Sequence, residues 1–222
     1  MSNAENPTFY LCLMEDRLSA NAGALTLPAC NRIVYTRSGR ATINGDAVSP
    51  DQARFSSAAM TVSADGGTAA LLRWELRHGD DPRDLSGMDG AISERKASAA
   101  LEADIGDGWF MRCDSVAFPP GGCALTHTHR GPGIRYLLDG SIRIDTQGHS
   151  TPIEVGGAWF EAGPDPVFAQ ADPDVPTRFI RAMVLPPELA GKSSITYVYE
   201  EDQGKPKSQT YKGYCEETLA LD

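Results

Sequence analysis

The chain lacks any apolar run of the roughly 18 residues that a membrane-spanning helix needs, and its first residues lack the charged-then-apolar layout of a secretory leader. No membrane partner is expected, and the expected compartment is the cytoplasm. Basic residues are few: 20 Lys and Arg stand against 30 Asp and Glu, a net charge of -10 at pH 7. Such a surface repels phosphate, which argues against nucleic acid and anionic membrane and leaves small molecules as partners. The five cysteines (Cys12, Cys30, Cys113, Cys123, Cys215) are odd in number and contain no C-x-x-C pair. Reduced thiols are expected, not a disulfide framework or a cysteine zinc site. A phosphate loop, a dinucleotide fingerprint and a Ser/His/Asp arrangement with supporting context are also missing.

What the chain has is short β-type segments separated by Gly, Pro, Asn and Asp: Arg32–Tyr35, Arg40–Ile43, Ala69–Leu76, Trp109–Phe118, Ile134–Leu138, Ser141–Asp145, Ala158–Glu161, Thr177–Leu185 and Ser194–Tyr199. The pattern is all-β, and 41% hydrophobic content in 222 residues suffices for one large core or two small ones. Asn44-Gly45 and Gln147-Gly148 each separate two such segments, as tight hairpins require. A few helical turns are expected, Asp81–Ala103 being the favoured region.

The segment Ile33–Gly45 matches Ile134–Gly148 in its aromatic, turn and alternating positions, each a strand, a glycine turn (Gly39, Gly140) and a second strand. Ala53-Arg-Phe55 parallels Ala158-Trp-Phe160, and Leu71-Leu-Arg73 parallels Phe179-Ile-Arg181. Two copies of one β unit are expected, residues 1–90 and 91–222, with the polar stretch His78–Gly90 as the surface connection between them.

Two of the four histidines, His127 and His129, lie in Thr-His127-Thr-His129. Strand residues i and i+2 project to one side, so both imidazoles can aim at one point, as a divalent transition metal (Zn, Fe, Mn or Ni) requires. Two ligands are half a site, and a nearby carboxylate such as Glu161, waters or substrate would complete it. The alternative is a hydrogen-bonded pair inside a polar pocket. Cys123, Trp159, Phe160 and Phe168 are most simply packing residues, and His78 and His149 exposed ones.

The stretch Gly121, His127, His129, Gly140 resembles the first motif of the cupin superfamily, with Gly133 in the glutamate position; Gly156 opens a degraded second motif in which Val167 takes the place of the last histidine. In the first half, matching Gly39 to the end of that motif puts Thr26, Pro28 and Arg32 at ligand positions. The resemblance implies two jelly-roll β-barrels in one chain, a bicupin with few short helices. Its N-terminal barrel would lack metal ligands and its C-terminal barrel would keep His127 and His129. If Gly133 marks the inward face, Arg135 points inward too, toward a carboxylate-bearing ligand or toward Glu161, and Arg143 could join that face. Two functions stay open. One is a metal-dependent enzyme (dioxygenase, isomerase or lyase type) acting on a small anionic molecule in the C-terminal barrel; the other is a non-catalytic small-ligand or sensor barrel. The resemblance also implies a homodimer, and the tail from Glu200 is read as wrapping a barrel, as adding a strand to a partner subunit, or as a loose terminus.

Overall fold

The computed structural model describes residues 9–86, 88 and 90–221; its regular structure is antiparallel β, with two 3-10 turns, Pro187–Leu189 and Glu200–Asp202, among the described residues. The chain divides into two compact units, the first ending at Asp104 and the second spanning Ile105–Leu221.

The first unit contains β1 (Phe9–Leu18), β2 (Leu25–Leu27), β3 (Asn31–Ser38), β4 (Ala41–Ile43), β5 (Asp46–Val48), β6 (Gln52–Ser56), β7 (Met60–Ala64), β8 (Ala69–His78) and β9 (Ala91–Ala100). Its sheets run β6-β3-β8-β1-β9 and β2-β7-β4-β5. The second unit contains β10 (Phe110–Phe118), β11 (Cys123–His129), β12 (Gly133–Asp139), β13 (Ser141–Thr146), β14 (His149–Glu154), β15 (Ala158–Glu161), β16 (Val167–Ala171), β17 (Thr177–Leu185), β18 (Ile195–Tyr197) and β19 (Thr210–Thr218). Its sheets run β15-β12-β17-β10-β19 and β14-β13-β16-β11-β18. Matching β1 to β10 and β3 to β12 brings every strand of the first unit onto a counterpart, and β18 is the one addition.

The match extends to irregularities. Pairing slips after Leu13 on β1 and after Cys113 on β10, and again after Thr36 on β3 and Leu137 on β12. Gly39 and Gly140 turn at φ +69° and +74°, and a Cβ would lie 2.0 Å from the Thr68 carbonyl oxygen in one and 2.6 Å from Thr177 Oγ1 in the other. Both sites therefore demand glycine. Asn44-Gly45 and Gln147-Gly148 have positive φ at both positions and close the β4–β5 and β13–β14 hairpins.

Within each unit the two sheets share one core. Leu27, Val34, Ile43, Val62 and Leu71 meet in the first, and Val116, Leu137, Ile144, Val167 and Phe179 in the second. Each such side chain contributes about 1.5–3 kcal/mol by leaving water. The first unit also buries an ion network along its inward face. Arg73 grips Asp16 through Nε (2.6 Å) and Nη2 (3.0 Å) and Glu75 through Nη1 (2.7 Å), and Arg32 Nε donates to the same Glu75 oxygen at 2.7 Å. Burial alone would raise the Glu75 carboxyl, but Arg73 and Arg32 hold it down at about 2.

Two expectations are corrected. The region favoured for helix, Asp81–Ala103, contains β9, which pairs along β1 from Leu18↔Ala91 to Tyr10↔Ala100. That pairing outweighs the helical preference of its Ala, Glu, Lys and Arg residues. Because β9 belongs to the first unit, the division falls after Asp104 and not at residue 90, and the stretch 78–90 joins β8 to β9 inside that unit. Of the readings of the tail, the one in which it packs on its own chain agrees with the structure, where β19 pairs with β10.

Candidate functional site

Alternation along β11 turns His127 and His129 to the same side, and both are buried (6% and 5% exposed). In the sheet His127 lies opposite Val167 on one side and Tyr197 on the other, and His129 opposite Ile195. The second sheet presents Arg135 from β12, Glu161 from the end of β15 and Arg181 from β17, in the registers Gly133↔Glu161 and Arg135↔Arg181. These five side chains and Trp159 line an interior cavity of about 20 Å³, room for one water-sized occupant, with apolar walls from Val116, Phe118, Val167 and Phe179.

The Leu125 carbonyl accepts a hydrogen bond from His127 Nδ1 at 2.7 Å, so the ring proton sits on Nδ1 and the Nε2 lone pair faces inward. That lone pair is 3.2 Å from His129 Nε2, which lies 3.0 Å from Glu161 Oε2. Arg135 Nη2 approaches the same carboxylate oxygen at 2.8 Å, while its Nη1 donates to the Gly133 carbonyl at 2.6 Å. Both approaches to Oε2 are within ion-pair reach, yet Oε2, Arg135 Nη2 and His129 Nδ1 are buried without a partner in hydrogen-bond geometry. Trp159 Nε1 donates to the other oxygen, Oε1, at 2.8 Å. Arg181 is committed to Asp114 through Nε (2.6 Å) and Nη2 (3.2 Å).

Burial keeps both imidazoles neutral. It pushes His127 below its ordinary value, and burial with the Arg135 charge takes His129 down to about 3. Burial also lowers Arg135, to about 10, against the pull of Glu161. Glu161 would be raised by burial, but the Arg135 charge, the neighbouring His129 and the Trp159 donor hold it well below the usual carboxylate range. The pocket therefore contains one ionised carboxylate beside two neutral imidazoles at neutral pH.

Two histidines and one carboxylate are the donor set of an open transition-metal site. Donors bonded at about 2.1 Å and at right angles stand about 3 Å apart, close to both separations seen here. His127 already has the ligating tautomer, with its other nitrogen held by a carbonyl. Even so, no three His, Cys, Asp or Glu side chains among the described residues are arranged to hold an ion outright. Arg135 lies 2.8 Å from the carboxylate oxygen, and His129 Nδ1 has no acceptor. The donors fit an ion in type and spacing, and the cage is incomplete.

The expected site residues separate into two groups. His127, His129, Arg135 and Glu161 come together. Arg143 does not: Ile142 and Ile144 take the inward positions of β13, so Arg143 projects outward and pairs with Asp145 at 2.9 Å. It lines a separate surface groove with His149 and Phe168. Gly133 has no room for the glutamate of the motif, since a Cβ would sit 2.7 Å from Met183 Cγ; the carboxylate comes instead from Glu161, its cross-strand partner. Trp159 is a wall of the cavity and orients Glu161. Sequence reasoning missed Arg181, Gln209 and Tyr211 as lining residues. The parallel of Arg73 with Arg181 was a signal for the first, and the polar tail gave none for the other two.

No protein-family model and no curated protein matches the chain. Solved structures do. Salicylate 1,2-dioxygenase from Pseudaminobacter salicylatoxidans aligns with TM-score 0.53 at 14% identity over 86% of this chain and 74% of that one. A point mutant of that dioxygenase in complex with gentisate gives TM-score 0.55 at 13% identity, covering 86% and 72%. AerE from Microcystis aeruginosa gives 0.54 at 13% identity, covering 82% and 95%. The likeness is one of fold, the cupin fold.

Proposed function

We propose that each unit is a jelly-roll barrel and that the second is an enzyme in which His127, His129 and Glu161 hold a divalent transition metal and a small carboxylate-bearing molecule is the substrate. The supporting observation is that His129 Nε2 lies 3.2 Å from His127 Nε2 and 3.0 Å from Glu161 Oε2 inside a buried pocket. The bound gentisate of a structural neighbour is consistent with a ligand of that class. A bound ion would supply Lewis acidity or activate water or oxygen. The chain's own residues do the rest. Leu125 fixes the His127 tautomer, Trp159 holds the Glu161 carboxylate, and Arg135 neutralises it and meets the substrate carboxylate when the pocket opens. Apolar walls exclude bulk water.

Metal content by inductively coupled plasma mass spectrometry tests this reading. Near-stoichiometric metal in wild type, lost in folded His127→Ala/His129→Ala and reduced in Glu161→Gln, is the expected result. A second reading, a barrel that binds an organic acid without chemistry, is favoured by the Arg135–Glu161 pair and by a cavity of only about 20 Å³. It requires metal-free protein that still binds a carboxylate, with binding lost in Arg135→Ala. Under either reading we propose a cytoplasmic homodimer without nucleic-acid partners. Among the described residues, no helix is long and apolar enough to cross a membrane. Sedimentation equilibrium tests the dimer.

A further inference from the structure

Cys113 on β10 lies directly opposite Cys215 on β19. Opposed residues of an antiparallel pair project to the same face with Cβ atoms about 4.5–5.5 Å apart, at the edge of the separation a disulfide spans. The side chains are in thiol–thiol contact, and neither is in a disulfide. The pairing slips immediately beyond them, where Tyr214 is an extra residue between Cys215 and Gly213, so the strand has local slack for the small approach a bond requires. Cys113 is fully buried and Cys215 half-buried, which makes Cys215 the accessible member. No other cysteine has this arrangement. Cys12 faces Glu75 and Ser98, Cys123 faces Gln170, and the matching position in the first unit is the pair Leu13↔Ala97.

We propose that Cys113 and Cys215 form an oxidation-sensitive dithiol that closes to a disulfide in the presence of a peroxide and ties β19 to β10. The Cys215 thiolate attacks the peroxide, cleaving the O–O bond and giving a sulfenic acid and one water. The Cys113 sulfur then displaces the second water as the S–S bond forms. Two thiols and hydrogen peroxide thus become one disulfide and two waters, with sulfur oxidised and peroxide oxygen reduced. Burial raises the Cys113 thiol well above its ordinary value, which fits it as the resolving partner. The bond would act on the cavity as well, since β19 carries Tyr211 and β10 carries Val116, both lining residues, and Asp114, which holds Arg181. The inference does not depend on a metal.

The test treats the reduced full chain with a few-fold excess of hydrogen peroxide, blocks remaining thiols with N-ethylmaleimide and maps tryptic peptides without reduction. The expected product joins the peptide Cys113–Arg130 to the Cys215 peptide with loss of two hydrogens, and fragment-ion spectra should place the bond on Cys113 and the maleimide on Cys123. Melting temperature should rise by about 10 °C or more and return on reduction, as a crosslink closing a loop of this length predicts. Cys215→Ser should melt like the reduced wild type and show neither change after peroxide. Sulfinic acid at Cys215 with Cys113 still alkylated, or bridges to Cys123, to Cys30 or between chains, would overturn the proposal.

Discussion

In the first unit Arg73 lies between two carboxylates, Asp16 and Glu75, with Arg32 on the far side of Glu75, and these side chains are essentially unexposed. Its counterpart in the second unit, Arg181, has one carboxylate, Asp114, and the remaining interior is occupied by His127, His129, Arg135 and Glu161 around a small cavity. The strand order is the same in both. One interior is packed with matched charge in which Arg32 Nη1 and Thr36 Oγ1 lack partners, whereas in the other the partnerless atoms, His129 Nδ1, Arg135 Nη2 and Glu161 Oε2, belong to residues that line the cavity. Buried polar groups left without partners are costly. They are tolerable where an occupant satisfies them, and the second interior sets such atoms around a cavity.

Removing the central cation separates the two interiors most sharply. Arg73→Met takes the ion-pair partner from buried Asp16 and one cation from Glu75, which keeps Arg32 and Arg77, and urea unfolding should show a loss of about 5 kcal/mol; Arg181→Met strands Asp114, which is slightly more exposed, and should cost about 3 kcal/mol. Equal losses would break the comparison.

Acid comes next. His129 has a folded pKa of about 3, below its ordinary 6.5, so the unfolded chain takes up a proton first. Its contribution is full above pH 6.5 and declines as pH falls toward 3. In metal-free protein that is about 2 kcal/mol lost by pH 5. Glu75 is also depressed, from 4.5 to about 2, so its contribution begins to decline only below about pH 4.5. Hydrogen exchange at pH 7 and pH 5 should therefore show protection falling in the second unit and holding in the first.

Smaller effects test the frame that the units share. Gly133→Ala forces a methyl against Met183 Cγ and the Ala182 carbonyl oxygen and should cost about 1–3 kcal/mol by thermal melting, while the matching position of the first unit already carries Arg32. At the hairpin tips, Gln147 adopts φ +50° and Asn44 φ +51°. Asn tolerates that conformation better, so Gln147→Asn should stabilise by about 0.5 kcal/mol and Asn44→Gln should do the reverse, read from paired melting curves.

The sequence made the repeat legible because steric demands recur at fixed places: Gly39 and Gly140 have no room for a Cβ, and the two-residue turns need positive φ. The histidine pair was legible from alternation alone. Strand β9 was hidden because its helix-forming residues take β structure only through long-range pairing with β1, and β19 because a polar tail carries no period of its own. The same limit applies to the site. Glu161 could be suspected, but its place opposite Gly133 is set by strand register, and Arg143 was misjudged by a single step of alternation.

The outer strands of the β2-β7-β4-β5 and β14-β13-β16-β11-β18 sheets are short or interrupted: β2, β5 and β18 have three residues each, and β14 carries Pro152 opposite Arg143. A strand of three residues offers little template to a neighbouring molecule, and proline removes a donor from the longer one. These borders hinder the end-to-end growth that turns exposed sheets into fibrils. A variant that replaced Pro152 with valine would leave the fold intact and give β14 an uninterrupted hydrogen-bonding edge on which aggregates could start.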